Sequence, residues 1–249
     1  MDTEEVPIVR ITDQERHELK DTVAAELPLT IMLNRQEIVT LRCSPTKLDY
    51  LVTGFLSSAG LIASKNDIEE LIIDEERGLA QVIAREARDP DIPTGRLIAS
   101  SAVDTSDHSV VKSRMEVTAP QVFMLMEDFI QRSRLFRTTG GVHSAALSDI
   151  MNTLIFSEDI GRHNAIDKVF GECLLRDIPT DDHIIITSGR VSSEIVLKVA
   201  KRNIPLLISK AAPTSLGVKL AADSGITLIG FVRGKRMNTY TGNWRLRYA

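Results

Sequence analysis

Cysteine is nearly absent from this sequence. Its 249 residues include two cysteines, Cys43 and Cys173, too few and too far apart for a disulfide framework or a zinc-ligand motif. We therefore expect a protein of a reducing compartment, which predicts a cytoplasmic location. No apolar run has the length of a membrane helix, and the acidic first residues do not resemble a signal peptide. The sequence thus predicts neither a metal site nor a membrane partner.

Aromatic residues and basic charge are also scarce. Aromatics make up 4% of the chain, so the core must consist mainly of aliphatic side chains. The net charge of −4 lacks the basic excess of a dedicated nucleic-acid binder, and no DNA or RNA partner is expected. The charge is uneven, because residues 230–249 hold five bases and no acid. That basic end is either a solvated surface or an anion site, if the fold brings it to a pocket.

The first half of the chain mixes short strands with one helix. Residues 28–42 and 68–86 each contain β-branched runs around a turn, which predicts two hairpins. Between them, apolar residues at helical spacing predict a helix that begins after Ser44, as its N-cap, and ends near Gly60. The sequence therefore predicts a small α+β domain over residues 1–114.

Strands alternate with helices in the second half. An amphipathic helix comes first, and short apolar strands then alternate with amphipathic helices: PQVFMLMEDFIQRSRLF, NTLIFSE, GRHNAIDKVFGECLL, HIIIT, a helix through Ile195–Ala200, PLLIS, LGVKLAADSG and ITLIGFV. Alternation at this spacing is typical of parallel strands with helices packed on the sheet. We therefore expect a layered α/β domain over residues 115–249.

Polar or glycine-bearing loops follow four of these strands, at residues 158–163, 188–190, 210–215 and 233–236. Ligands of open α/β sheets bind beyond the carboxyl ends of the strands. Glycine permits close backbone approach, helix N-termini attract anions, and arginine matches phosphate geometry. A single such loop could owe its glycine to turn geometry alone. Four loops at one edge predict a pocket for a phosphate-bearing ligand, although no Walker A or GxGxxG motif is present.

Two histidines have open interpretations. His163 stands at a predicted helix start beside Asp159 and Arg162, which suits either an imidazole that contacts a ligand or a surface or capping residue. His143 precedes an apolar run and suits a buried structural role equally well.

Several segments, in this order, resemble the formate dehydrogenase accessory protein family, FdhD. They cover most of the chain from about residue 28: SPTKLDYLVTGFLSSAGLI, TTGGVHSAAL, SEDIGRHNAIDKVFG, TSGRVSSEIVLKVAKRNIPLLISKAAPTSLGVKLAADSGITLIGFVRGKR and TYTG. DIGRHNAIDK and SGRVSSE are fairly specific to that family.

The resemblance implies a sulfur carrier for cofactor maturation. Such proteins accept sulfur from a cysteine desulfurase as a cysteine persulfide. They pass it to the bis-molybdopterin guanine dinucleotide cofactor before the cofactor enters the catalytic subunit of formate dehydrogenase. The resemblance also implies a homodimer and a C-terminal domain similar to the cytidine deaminase fold without its zinc.

The resemblance also indicates where the cofactor, or a GDP-like guanine nucleotide, would bind. The cofactor-binding segment of the family corresponds here to Phe231, Val232, Arg233, Gly234, Lys235 and Arg236. The other strand-end loops add further candidates: Asp159, Arg162, His163, Ser188, Gly189 and Arg190.

One departure from the family concerns the sulfur chemistry. Family members carry a C-x-x-C pair in a mobile loop between the two halves of the protein. The corresponding region, about residues 99–113, has no cysteine here. Cys173 lies on an apolar helix face, and Cys43, though near a predicted helix N-terminus, ends an apolar strand, so we expect both to be structural. Ala59 also stands where the family commonly has glutamate.

The sequence therefore leaves two functions open. One is a sulfur carrier that acts as a sulfurtransferase on the molybdenum cofactor, with Cys43 as its weak thiol candidate. The other is a non-catalytic chaperone that binds the cofactor or a guanine nucleotide. A hydrolase on the same scaffold has little support, because no nucleophile–base pair is evident.

Overall fold

The computed structural model describes residues 2–85 and 110–247. Its strands are β1 (Thr3–Ile11), β2 (Arg16–Ala24), β3 (Leu27–Leu33), β4 (Gln36–Cys43), β5 (Ile68–Asp74), β6 (Leu79–Ala84), β7 (Val117–Thr118), β8 (His143–Ser148), β9 (Thr153–Asp159), β10 (Ile184–Thr187), β11 (Leu206–Ser209), β12 (Thr227–Arg233), β13 (Arg236–Thr241) and β14 (Leu246–Arg247). Its α-helices are α1 (Leu48–Ser58), α2 (Ala119–Arg132), α3 (Arg134–Thr139), α4 (Arg162–Leu175), α5 (Ser193–Ala200) and α6 (Ser215–Asp223).

The N-terminal sheet has the strand order β4-β3-β6-β5. Both predicted hairpins are confirmed as the antiparallel pairs β3–β4 and β5–β6, and β3 joins them by parallel pairing with β6. Apolar side chains of this sheet and of α1 form one buried cluster. A further hairpin, β1–β2, stands as a separate two-stranded sheet with mostly exposed side chains.

The predicted start of α1 is wrong. The helix begins at Leu48, and its N-cap is Lys47, which has a left-handed backbone with φ of 52°. Ser44 is fully buried, and its hydroxyl accepts a hydrogen bond from the backbone N–H of Ile160. Because this long-range contact occupies the hydroxyl, Ser44 joins the two halves of the chain instead of capping the helix.

The C-terminal half contains a six-stranded sheet with the order β13-β12-β11-β10-β8-β9. The predicted parallel pairing is correct for β10, β11 and β12, whereas β9 pairs antiparallel with β8. Strands β8 and β13, which the sequence did not predict, run antiparallel to their neighbours. One face packs on α4, α5 and α6, and the other face packs on α2. The chain is thus mixed α/β, with a three-layered C-terminal half.

Helices α1 and α4 cross in close contact and join the two halves. A Cβ added to Gly54 would lie 1.8 Å from the carbonyl oxygen of Asp167, and a Cβ added to Gly171 would lie 1.8 Å from the carbonyl oxygen of Tyr50. Only glycine allows such an approach of two backbones.

The sequence predicts a mobile loop over residues 99–113. Residues 99–109 of that region lie outside the described residues. At its far end, Val111 is buried in the C-terminal core, and its N–H bonds to the Ser224 carbonyl. In the described ranges, none of the helices has the length and apolar character needed to cross a bilayer.

Candidate functional site

The candidate site lies at one edge of the six-stranded sheet. Because β9 runs in the same direction as β10, β11 and β12, the carboxyl ends of all four strands meet at this edge, next to the start of β8. An open cavity of about 380 Å³ lies there, lined by Phe136, Gly140, Gly141, Val142, His143, Ile160, Ser188, Lys210, Ala211 and Arg233. The topology therefore brings the four predicted loops together.

Basic side chains without acidic partners gather at this edge. Six of them form no salt bridge with a described residue: Arg162, Arg190, Lys210, Arg233, Lys235 and Arg236. Two neighbouring acids are engaged elsewhere, since Asp159 pairs with Lys168 and Glu158 accepts hydrogen bonds from two backbone N–H groups at the start of α3. The six bases thus give the edge an excess of positive charge, which favours an anionic ligand.

Arg162 is the most unusual of these cations. Its Nε is buried and has no hydrogen-bond partner among the described residues. Its side chain lies against Gly189, where an added Cβ would come within 2.8 Å of the Arg162 Cβ. A buried donor left without a partner costs about 1–3 kcal/mol, so this nitrogen marks a position where an acceptor from a ligand would be stabilising.

The basic hairpin between β12 and β13 has a special backbone. Phe231 adopts a left-handed conformation, with φ of 53°, at an irregularity in the pairing between Gly230 and Arg233. The Arg233 guanidinium lies 5.8 Å from the Phe231 ring centroid. Bulges redirect side chains at sheet edges, and such strain is common at binding sites. Within the predicted cofactor-binding segment, residues 231–236, Val232 is fully buried.

Asp159 lies beneath the site rather than in it. Its carboxylate is fully buried 2.6 Å from the Lys168 ammonium. It also accepts hydrogen bonds from the Gly161 N–H at 2.8 Å and from the Asn164 amide at 2.9 Å. A third hydrogen bond, from the Ser44 N–H, connects this carboxylate to the N-terminal half. Asp159 therefore positions the loop that carries Arg162.

The surroundings of His163 oppose a positive charge on its imidazole. Burial and the nearby Lys198 and Arg162 lower the pKa of His163 to about 4, although Glu194 raises it. Its Nε2 lies 3.4 Å from the Glu194 carboxylate. The imidazole is therefore neutral near pH 7, and its contact with Glu194 is not a salt bridge at that pH.

His143 lines the cavity and is half-buried. Its Nδ1 lies 3.3 Å from the hydroxyl of Ser188, which also accepts a hydrogen bond from the Ser144 N–H. Burial, together with Arg162 and Arg190, lowers the pKa of His143. Of the two interpretations left open by the sequence, the position in the cavity favours the functional one.

Lys210 and Phe136 line the cavity but were not named as site residues from the sequence. Lys210 belongs to one of the predicted strand-end loops, so its basic character was an available signal. Its ammonium lies 5.7 Å from the Phe136 ring centroid. Phe136 belongs to α3, which lies beside the cavity through tertiary packing. Because α3 does not follow a strand of the sheet, the strand-end pattern could not identify it.

Both thiols are withdrawn from solvent, as expected from the sequence. Cys43 is fully buried and Cys173 is 3% exposed. Burial raises the pKa of each to about 12, with Asp159 adding to the effect at Cys43. Since the thiolate is the nucleophile, neither sulfur is reactive in this conformation.

Comparison with known proteins gives a consistent result. The model of the FdhD/NarQ family matches residues 24–247. Relatives named sulfur carrier protein FdhD occur in Bacillus pumilus (42% identity over 91% of this chain and 90% of the relative) and in Staphylococcus aureus strain MRSA252 (40% identity, 94% and 93%).

A solved structure agrees with the sequence match. It is described as a formate dehydrogenase accessory protein from Desulfotalea psychrophila, and it superposes with a TM-score of 0.86 at 29% identity, covering 99% of this chain and 100% of the other. The match spans both halves of the molecule. The chain therefore belongs to the FdhD/NarQ family of sulfur carrier proteins that support formate dehydrogenase.

Proposed function

We propose that this protein binds the guanine-dinucleotide form of the molybdenum cofactor by its diphosphate, at the basic edge of the six-stranded sheet, during maturation of a formate dehydrogenase. One observation carries the proposal: six basic side chains gather at this edge, and none of them forms a salt bridge within the part of the chain that the structure describes. The similarity to a solved structure described as a formate dehydrogenase accessory protein supports the choice of partner.

The chemistry of the edge suits such a ligand. Two arginines, Arg162 and Arg233, offer planar donors to a diphosphate, and the Arg162 Nε has no hydrogen-bond partner in residues 2–85 and 110–247. Phe231 and Phe136 offer ring faces for a guanine base. A second cavity, of about 880 Å³, lies between α2 and the Gly234–Lys235 turn, which gives room for more of a large ligand.

The sulfur chemistry favours a cofactor-binding chaperone over a covalent carrier. The sequence has no cysteine in the segment that holds the family's C-x-x-C pair, and both of its thiols are buried. Cofactor binding does not depend on a thiol, so it is compatible with this arrangement. Sulfur transfer is the second candidate, supported by the names of the relatives. It would require Cys43 to become exposed, in a complex with a cysteine desulfurase.

Calorimetric titration with GDP tests the binding site. Replacing both Arg233 and Arg236 by alanine removes two of the cations, and we expect the Kd for GDP to rise by a factor of about 10 to 100, since a charge-assisted hydrogen bond contributes roughly 1.5–3 kcal/mol. The matched control, Arg77→Ala with Arg85→Ala, removes two arginines from the N-terminal sheet and should leave the Kd unchanged. Equal affinity of the wild type and the Arg233→Ala/Arg236→Ala variant would refute the site.

A persulfide assay separates the two candidate functions. The protein is incubated with a cysteine desulfurase and cysteine, and its intact mass is then measured. The chaperone function predicts no added sulfur on the native protein. A 32 Da addition that disappears in Cys43→Ala, but persists in Cys173→Ala, would instead establish sulfur carriage by Cys43.

A further inference from the structure

The hydroxyl of Ser188 contacts both the backbone of Ser144 and the ring of His143. The Ser188 hydroxyl oxygen accepts the backbone N–H of Ser144 at 2.9 Å. Its own proton is within reach of the His143 Nδ1, at 3.3 Å. With Nδ1 as the acceptor, a neutral imidazole carries its proton on Nε2. His143 thus brings to the cavity a ring whose protonation state is coupled to a hydroxyl of the same cavity.

The charges around His143 are almost all positive. Arg162 approaches it from α4 and Arg190 from the loop after β10, and both oppose a charge on the ring. Lys210, after β11, and Arg233, at the end of β12, line the same cavity. Asp159 is a carboxylate that acts on the ring in the opposite sense, and its charge is offset by Lys168.

We propose that His143 is a further ligand-binding residue of this cavity, which takes up a proton when a diphosphate enters. The inference rests on the proposed function, since it requires the diphosphate to bind at the basic edge. Negative charge on the ligand offsets the field of the four neighbouring cations, so protonation of the imidazole becomes less unfavourable. The bound ligand and the protonated ring then stabilise each other.

The Ser188 hydroxyl allows this change without leaving a polar group unpaired. Its oxygen has two acceptor positions, one for the Ser144 N–H and one for a protonated His143 Nδ1. The hydroxyl proton is then free to turn toward a phosphate oxygen. One proton taken up by His143 therefore frees one donor for the ligand, the hydroxyl of Ser188.

The pH dependence follows from proton uptake. Because the complex holds more protons than the free protein, affinity rises as the pH falls from the pKa of His143 in the complex to its lower pKa in the free protein. The slope reaches at most about a tenfold change in Kd per pH unit, the limit for one proton. The lowered pKa of free His143 places the lower end of this range below pH 6.5.

Calorimetry in buffers of different ionisation enthalpy measures the uptake directly. GDP-mannose is the preferred probe, because both of its phosphates are esterified and none titrates near pH 6, where a terminal phosphate would. MES, Bis-Tris and imidazole at pH 6.5 give a plot of binding enthalpy against buffer enthalpy, whose slope is the number of protons bound. We expect a slope between zero and one proton for the wild type, in the direction of uptake.

Two variants test whether His143 is the residue that takes up the proton. His143→Gln keeps a hydrogen-bonding side chain but cannot titrate, so its uptake should vanish and its Kd should no longer depend on pH between 5.5 and 7.5. His183→Gln, at the opposite edge of the sheet, should behave as the wild type. Thermal unfolding of each variant shows whether it is folded, and the wild-type slope does not depend on either variant.

The outcomes separate the two proposals. If the wild type binds GDP and GDP-mannose with no proton uptake between pH 5.5 and 7.5, or if His143→Gln retains the uptake, the role of His143 is refuted while the binding site stands. If the wild type binds neither ligand, the proposed function itself fails.

Discussion

Asp159 and Lys168 form an ion pair in which both side chains are completely removed from solvent. The ammonium also donates to the carbonyl oxygens of Ser44 and Glu158, so the pair links the β4–α1 segment to the loop that carries Arg162. Neither partner could be recognised as one of a pair from the sequence. Asp159 was predicted as a ligand contact because it stands in a strand-end loop, and tertiary pairing with Lys168 gives it a structural position.

Removing one charge of the Asp159–Lys168 pair should destabilise the fold. Lys168→Met leaves the Asp159 carboxylate buried without its counterion, and we expect the free energy of unfolding to fall by about 3–5 kcal/mol. Urea unfolding followed by circular dichroism measures the change. The double variant Asp159→Asn/Lys168→Met removes both charges and should recover part of the loss. A single variant as stable as the wild type would contradict the structural importance of the pair.

His163 gives a prediction for the pH dependence of stability. Its pKa is about 4 in the folded protein and near 6.5 when unfolded. Below pH 6.5 the unfolded chain therefore binds a proton that the folded protein does not, so stability is lost as the pH falls from 6.5 to 4. The His163 side chain is 26% exposed, and we expect it to contribute about 2 kcal/mol to the free energy of unfolding.

Urea unfolding at pH 7 and pH 4.5 tests this contribution. The wild type loses stability from several titrating groups over that range, and His163→Gln should lose about 2 kcal/mol less because it lacks this one. Equal losses in both proteins would show that His163 is not held neutral in the fold.

Among the elements, the α1–α4 crossing joins the two halves most closely. Gly54 and Gly171 allow backbone contact, and the polar side chains around them pair across the crossing: Ser58 donates to Asp167, which also pairs with Lys198. Asp167 is 1% exposed. The hydrophobic pattern of α4 predicted its length correctly but not its buried charges, because these are compensated by residues far away in the sequence.

Substitution of Gly171 tests the crossing. Gly171→Ala places a methyl group 1.8 Å from the Tyr50 carbonyl oxygen, so the helices must separate, and we expect a loss of roughly 3 kcal/mol or more. Gly140→Ala is the matched control. That glycine has φ of 66° with no atom within 4 Å of an added Cβ, so only backbone strain of about 1–2 kcal/mol applies. Thermal melts that give equal losses for both variants would contradict the close contact.

Elements with strong local signals could be predicted from the sequence, and those determined by distant contacts could not. The hairpins β3–β4 and β5–β6 have β-branched runs around a turn, which is a local signal. The start of α1 was placed too early because serine is a favoured N-cap residue, whereas the hydroxyl of Ser44 accepts a hydrogen bond from the Ile160 N–H. The β1–β2 hairpin was not predicted, since its strands are mostly polar and exposed.

For the whole molecule, the candidate site depends on topology. Each strand-end loop could be identified from the sequence, and parallel strand direction explains why they meet. The insertion of antiparallel β8 between β9 and β10 could not be anticipated, and it brings His143 into the cavity at this edge. Charge patterning pointed to the basic end of the chain, and the fold adds Arg162, Arg190 and Lys210 from other loops.

The central claim is that a guanine nucleotide binds by its diphosphate at this edge. A crystal structure of the protein soaked or co-crystallised with GDP tests it most directly. We predict diphosphate oxygens within hydrogen-bond distance of the Arg162 and Arg233 guanidinium groups, with the Arg162 Nε no longer unpaired. A nucleotide bound elsewhere on the protein, with both arginines free of contact to phosphate, would contradict the account.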